Sequence, residues 1–126
     1  MHKSKLAGFI IDCQTTDLDG AADFWSRALG MPVRALPEEE SGIYRALEDT
    51  RLGLQIEVQA VTHPSRVHLD IETDDIEAEV KRLEKLGAKR VQMVRTWWVM
   101  EAPTGQRFCV IRAASKEFDL KASQWP

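Results

Sequence analysis

The chain has 126 residues, 44% of them hydrophobic and 29% charged, with a formal net charge of −3. That length suits one domain able to bury roughly two thirds of its unfolded surface, and the composition excludes a wholly disordered chain. The slight acidity, with lysines and arginines scattered among acids, lacks the basic footprint of a nucleic-acid binder, and no apolar run is long enough to span a membrane.

The opening "MHKSKLAGFIID" has a basic start, but Gly8 breaks its apolar run and Asp12 closes it. That run is too short for a signal-peptide core. Phe9 begins the segment "FIIDCQTTDLDGAADFWSRALG", which reads as strand, acidic turn, helix and Leu-Gly stop. Asp17 caps the helix, Asp19 suits its N-terminal dipole, and Ala21, Phe24, Trp25 and Ala28 form the expected buried stripe. Three strand-like segments follow, "MPVRAL", "GIYRALE" and "LGLQIEVQA", with "PEEESG" as a loop between the first two.

After the seam "VTHPS" the pattern repeats as "VHLDIETDDIEAEVKRLEKLG" from Val67. Asp12 matches Asp70, Ile10 matches His68, and Leu29-Gly30 matches Leu86-Gly87, with one residue more in the first turn. Asp74 is the expected N-cap of the second helix, with Glu77 completing a capping-box-like start and pairing with Lys81. Gly87 is the stop, and Ile76, Val80, Leu83 and Leu86 form the buried stripe. "KRVQMV", "TWWVME", the loop "APTG" and "RFCVIR" complete the second half. Each half reads β-α-β-β-β, so the chain is an internal duplication. Cys13 and Cys109 each sit in an apolar strand, which fits buried thiols in a reducing, cytoplasmic setting better than a disulfide framework. The tail "SKEFDLKASQWP" reads as a loose or packed-down end.

This doubled unit, with "VHLDIETDDIEAEVKRLEKLGA" and "VMEAPTGQRFCVIR", resembles the vicinal oxygen chelate superfamily of glyoxalase I, bleomycin-resistance proteins and extradiol dioxygenases. The resemblance covers roughly residues 5 to 113 and is nearest to glyoxalase-like members, although Ala102 stands where the family pattern has Asp before the proline. It implies an α+β fold of two tandem βαβββ modules, about 5–61 and 65–113, within one domain of residues 1–114 followed by a tail of 115–126. The mixed sheet would curve into a cup with the helices outside. Such a fold hosts unrelated chemistries, so function must come from the site.

Strand alternation sorts the residues between the helix side and the cup. Val67, Leu69 and Ile71 should meet the helices, which sends His68 and Asp70 into the cup. Phe9, Ile11 and Cys13 face outward while Ile10 and Asp12 face in. Gln55, Glu57 and Gln59 share the polar face of the fourth strand, and Arg107 and Cys109 share one face of the last.

The resemblance also implies where a metal would sit: on Ile10, on Glu57 or Gln55, on His68 and on Cys109. Ile10 has no donor atom, so the usual set is broken. If any metal is held, His68 and Glu57 are the expected ligands, or a displaced group of His68, Asp70, Asp12 and Glu57. The plainer reading of His68 is a cavity-wall histidine bonded to Asp70 or Glu57. Asp12 and Asp70 have a plainer reading too, as caps for nearby backbone. Only one of the adjacent Trp97 and Trp98 can face inward, where it would serve as an aromatic wall or as core. Trp25 reads as packing. Arg45 and Arg107 suit an anionic ligand or an ordinary surface. Phosphate loops, nucleophile elbows and Cys-x-x-Cys pairs are missing from the sequence.

The expectation is a glyoxalase-like protein that binds a small organic molecule without the standard metal, using Asp12, Glu57, His68, Asp70, Cys109 and one of Trp97 or Trp98. Acids beside aromatics favour a ligand with an amine or hydroxyl donor, in the manner of the drug-sequestering resistance proteins. The alternative is a lyase or isomerase using a divalent metal, or His68 as acid/base. A third reading is an adaptor whose cup is filled by its own side chains, such as Trp125. Two chains are expected to pair, with neither nucleic acid nor membrane as a partner.

Overall fold

The first strand runs further than the sequence suggests. In the computed structural model, which describes residues 1–37, 42–48 and 51–126, β1 (His2–Gln14) begins at the second residue and is shared by two compact units, Gly8–Val67 and Met1–Ala7 with His68–Pro126. Nine strands and three helices are seen among the described residues, the expected α+β class.

In the unit Gly8–Val67 the chain continues through α1 (Leu18–Leu29), β2 (Val33–Arg34), β3 (Tyr44–Leu47) and β4 (Gln55–Val61). The strand order is β2-β3-β4-β1. β1 and β4 run parallel from Gly8 opposite Gln55 to Gln14 opposite Val61, and such a pair needs a crossover, part of which α1 supplies. β2, β3 and β4 pair antiparallel. Asp17 caps α1 as expected, its side chain accepting from the Gly20 amide at 3.0 Å, and Gly30 ends the helix at φ 69°. Ile11, Leu18, Leu47, Ile56 and Val58 form the core, with Phe9, Cys13, Ala21 and Trp25 packed on it. The outward placing of Phe9, Ile11 and Cys13 and the packing role of Trp25 therefore hold. The helix stripe differs from the expectation: Leu18 and Ala22 are buried, whereas Phe24 is 60% exposed and Ala28 is exposed too. At 3.6 residues per turn, a stripe centred on Leu18, Ala22 and Trp25 leaves Phe24 about a quarter turn or more to one side. There its ring meets Trp25 edge-on. The strand segments are shorter than their apolar runs, and most of the loop "PEEESG", residues 38–41, lies outside the described residues.

The other unit holds the start of β1 and most of β5 (Arg66–Thr73), then α2 (Ile76–Lys85), β6 (Lys89–Val94), β7 (Trp97–Glu101), β8 (Arg107–Arg112), α3 (Phe118–Lys121) and β9 (Ser123–Trp125). Its order is β5-β8-β7-β6, with β5 and β8 parallel and the other pairs antiparallel. Val80, Leu83, Met100, Phe108 and Val110 form its core, with Ile71, Ile76, Trp98 and Ala102 packed on it.

Three local expectations are corrected here. Asp75, not Asp74, caps α2, accepting from the Ala78 amide at 3.0 Å, while Asp74 accepts from the Lys3 amide of β1 at 2.8 Å. Leu86 is 66% exposed, because the helix has ended and Leu86 is its C-cap. Val67 and Leu69 are 58% and 50% exposed, because the stripe of α2 packs over Ile71 and β8 and does not extend to them.

The tail is packed down. Glu72, fully buried, accepts from the Ala114 and Ser115 amides and the Ser115 hydroxyl, with the Lys5 ammonium at 3.5 Å. β9 pairs antiparallel with His2–Ser4. Trp125 donates its indole N–H to Ser4 Oγ at 2.8 Å and lies under the Arg82 guanidinium, 3.9 Å from ring centre to Cζ. Arg82 in turn grips the buried Glu79 with two hydrogen bonds, and His2 Nε2 lies 2.8 Å from Glu79 Oε1. Buried carboxylates need such partners, and here they join both chain ends to α2 and β5. Among the described residues no helix is long and apolar enough to cross a membrane.

Candidate functional site

β5 alternates as the sequence suggests, so its even-numbered residues turn away from the α2 core that Ile71 joins. His68 is half-buried and Asp70 is buried, with His68 Nε2 and Asp70 Oδ1 3.7 Å apart. The parallel register sets Asp70 opposite Cys109 of β8. Phe108 and Val110 belong to the α2 core, so Cys109 between them points to the other side with His68 and Asp70. One ligand atom from each of His68, Asp70 and Cys109 lies within 4.8 Å of the others. An imidazole nitrogen, a carboxylate oxygen and a sulfur thus meet on one face of one unit.

The same alternation decides between the tryptophans. Trp98 packs into the α2 core, with the Arg90 guanidinium 5.1 Å from its ring centre. Val99 pairs with Cys109 across the β7–β8 ladder, so Trp97, two residues before Val99, shares the Cys109 face. Trp97 is half-buried and supplies the aromatic surface there. Arg107, on the same face of β8, has Nε 3.3 Å from Glu101 Oε1.

Asp12 and Glu57 belong to the unit Gly8–Val67. Both lie on the strand face away from α1, Ile10 opposite Glu57 and Asp12 opposite Gln59. Ile10 is buried and offers no donor atom, as the sequence indicates. Asp12 is also buried, with Arg66 Nε 3.5 Å from its Oδ2. Arg45 pairs with Asp19 at 3.0 Å, and Gln59 donates to the Tyr44 hydroxyl. Arg66 and the two buried acids Glu72 and Glu79 stand outside the residues expected from the sequence. Glu79 carried a signal, since it sits on the apolar stripe between Ile76 and Leu83.

Cys13 and Cys109 are both free thiols, Cys13 only half-buried. Burial, opposed by a hydrogen bond with Trp25, raises the Cys13 pKa above its usual value. Trp125, the side chain suspected of filling the site, sits with Arg82 and Ser4 instead.

The sequence profile of the glyoxalase-like domain matches residues 8–111. No curated protein matches the chain. Among solved structures, a hypothetical protein from Bacillus halodurans C-125 superposes with a TM-score of 0.64 at 14% identity, covering 90% of this chain and 98% of that one. The methylmalonyl-CoA epimerase of Mycobacterium tuberculosis gives a TM-score of 0.64 at 18% identity, covering 86% and 88%. The Streptomyces coelicolor methylmalonyl-CoA epimerase (S115T) in complex with 2-nitronate-propionyl-CoA gives 0.57 at 18%, covering 88% and 96%.

Proposed function

The chain belongs to the glyoxalase-like domain family of the vicinal oxygen chelate superfamily, and from that premise we propose that it binds a small organic molecule on the strand face carrying His68, Asp70, Cys109 and Trp97. The observation that supports this most is the convergence of His68, Asp70 and Cys109 within 4.8 Å on the face turned away from the α2 core. Ionisable side chains held close together in a half-dry setting cost folding free energy, and proteins keep such clusters where a ligand uses them. Asp70 and His68 suit an amine or hydroxyl donor, and Trp97 suits a flat or apolar group against which it can stack. Asp12 and Glu57, on the strand face of the unit Gly8–Val67 turned away from α1, are proposed as ligand-meeting residues of that unit. The same proposal holds residues 1–114 to be one domain with 115–126 as its tail, acting in the cytoplasm as a pair of chains.

A second reading, a lyase or isomerase, draws on the same cluster. His68 beside Asp70 has the arrangement of a general base whose imidazolium form a carboxylate steadies. Its substrate would present an acidic carbon–hydrogen bond next to a carbonyl group.

Thermal unfolding of the metal-free chain with bleomycin and with methylmalonyl-CoA tests the proposal, since a ligand specific for the folded state raises its stability. The expected result is an upward shift with one of the two that disappears in Asp70→Asn and Trp97→Ala. Shifts with neither, or a shift that both variants keep, would refute it. Exchange of solvent deuterium into methylmalonyl-CoA, lost in His68→Ala, would favour the enzyme.

A further inference from the structure

Three rows of side chains cross the face of β5, β8 and β7 that is turned away from α2, and each row has its own chemistry. At one end Arg107 of β8 stands opposite Glu101 of β7. In the middle Cys109 stands opposite Val99 and has Asp70 of β5 on its other side. Trp97, two residues before Val99 and half-buried, forms the far row. A cation, a buried acid and an aromatic surface therefore follow one another along the strands. We propose that this face takes an α-amino acid with an aromatic side chain, its carboxylate on Arg107, its ammonium on Asp70 and its ring against Trp97. The inference deepens the reading above and rests on it, since it names a ligand class for the same face.

The spacing suits such a ligand. Residues two apart on a strand stand about 6.6 Å apart and neighbouring strands about 4.8 Å, so Arg107 and Asp70 lie roughly 8 Å apart on a diagonal at the backbone. The carboxylate and ammonium of an α-amino acid are attached to one carbon, so the groups that bind them must be near neighbours of opposite charge, as these two are. The row of Trp97 lies about 6.6 Å beyond that of Asp70, close to the length of a benzyl side chain on the same carbon.

The placing of charge supports all three contacts. Arg107 donates through Nε to Glu101 Oε1 at 3.3 Å, which fixes the plane of the guanidinium. Among the described residues that is its ion pair, so the two terminal nitrogens are left to grip a carboxylate as a fork. Asp70 is buried, with His68 Nε2 3.7 Å from its Oδ1. A simple carboxylic acid in this place would cover Asp70 with carbon, and a simple amine would cover the Arg107 fork without bonding it. Each loses hydrogen bonds that water had supplied. An α-amino acid replaces both sets, and its ring stacks on Trp97 or meets it edge-on.

The test is isothermal titration calorimetry on the full, metal-free chain with three matched probes: L-phenylalanine, phenethylamine, which lacks the carboxylate, and 3-phenylpropanoate, which lacks the ammonium. L-phenylalanine should bind about 10- to 100-fold tighter than either of the others, a comparison on the wild-type chain that needs no variant to fold. Arg107→Ala should weaken L-phenylalanine by about that factor and leave phenethylamine unchanged, with Arg107→Lys in between. Asp70→Asn should weaken L-phenylalanine and leave 3-phenylpropanoate unchanged, and Trp97→Ala should weaken all three. No binding of L-phenylalanine, equal binding of the three probes, or L-phenylalanine affinity unchanged in Arg107→Ala would each overturn the inference. A chain that responds to bleomycin or methylmalonyl-CoA through Asp70 and Trp97 but ignores L-phenylalanine overturns the amino-acid ligand and leaves the proposed function standing. A chain that binds L-phenylalanine equally well in the Arg107, Asp70 and Trp97 variants holds it elsewhere, and the reading of the face then fails as well.

Discussion

Asp70 of β5 stands directly opposite Cys109 of β8 in a parallel ladder, both buried, with His68 two residues from Asp70 on the same face. Clusters of this kind are held at some cost to folding. Asp70→Asn should leave the metal-free protein as stable as the wild type, or more stable by about 1 kcal/mol, while removing the response to ligand. Urea unfolding beside a ligand titration checks both halves. A loss of several kcal/mol without ligand would mark Asp70 as a structural residue.

Glu79 governs an acid limb of stability. Burial raises its pKa, but hydrogen bonds from Arg82, His2 and Ser4 outweigh burial and hold the carboxyl below its ordinary 4.5. A depressed carboxyl contributes stability that is present above the unfolded value and lost as pH falls towards the folded one. Stability should therefore decline as pH drops below about 4.5, and Glu79→Gln should flatten that decline. Glu79→Ala, which leaves Arg82 without its carboxylate, should cost about 3 kcal/mol at neutral pH. Denaturant unfolding from pH 3 to 7 reads all three.

Neighbouring aspartates at the start of α2 have different tasks. Asp75 bonds the Ala78 amide, and its replacement by Ala should cost about 1 kcal/mol. Asp74 bonds the Lys3 amide on β1, so Asp74→Ala should leave the helix cap intact and speed hydrogen exchange at Lys3. Exchange of the Lys3 and Ala78 amides in the two variants separates these roles.

A methyl group at Gly8 would fall on the backbone carbonyl of Gln55, since β1 and β4 are paired there. Gly8→Ala should cost about 3 kcal/mol or prevent folding, because neither backbone can withdraw without breaking the ladder. Gly42→Ala, whose methyl group meets no atom of the described residues within 4 Å, is the comparison, and the melting temperatures of the two decide it.

What the sequence made legible follows from how local each signal is. β6 and β8 match their apolar runs because Gly87 and Gly105 punctuate the chain just before them, and the capping of α1 by Asp17 depends only on residues within one turn. The sequence alone does not separate Asp74 from Asp75 as the α2 cap, because the two are equally competent there. The choice between them depends on Lys3, 71 positions from Asp74. Alternation placed His68 and Asp70 on one face, and a periodicity of two is enough for that. Placing Cys109 beside Asp70 needs the register of β5 on β8, a pairing between strands well separated in sequence that no local pattern encodes. Glu72 and Glu79 are buried because Ser115, Arg82 and His2 come to meet them, and only the folded chain brings those groups together.

The most direct test of the ligand-facing role of His68, Asp70 and Cys109 is a titration of the isotope-labelled, metal-free chain with methylmalonyl-CoA and with bleomycin, followed by backbone amide NMR shifts. Saturable changes centred on His68 to Asp70, Trp97 to Val99 and Cys109 are the predicted result. Saturable changes confined to other residues, or no change with either compound, would contradict it.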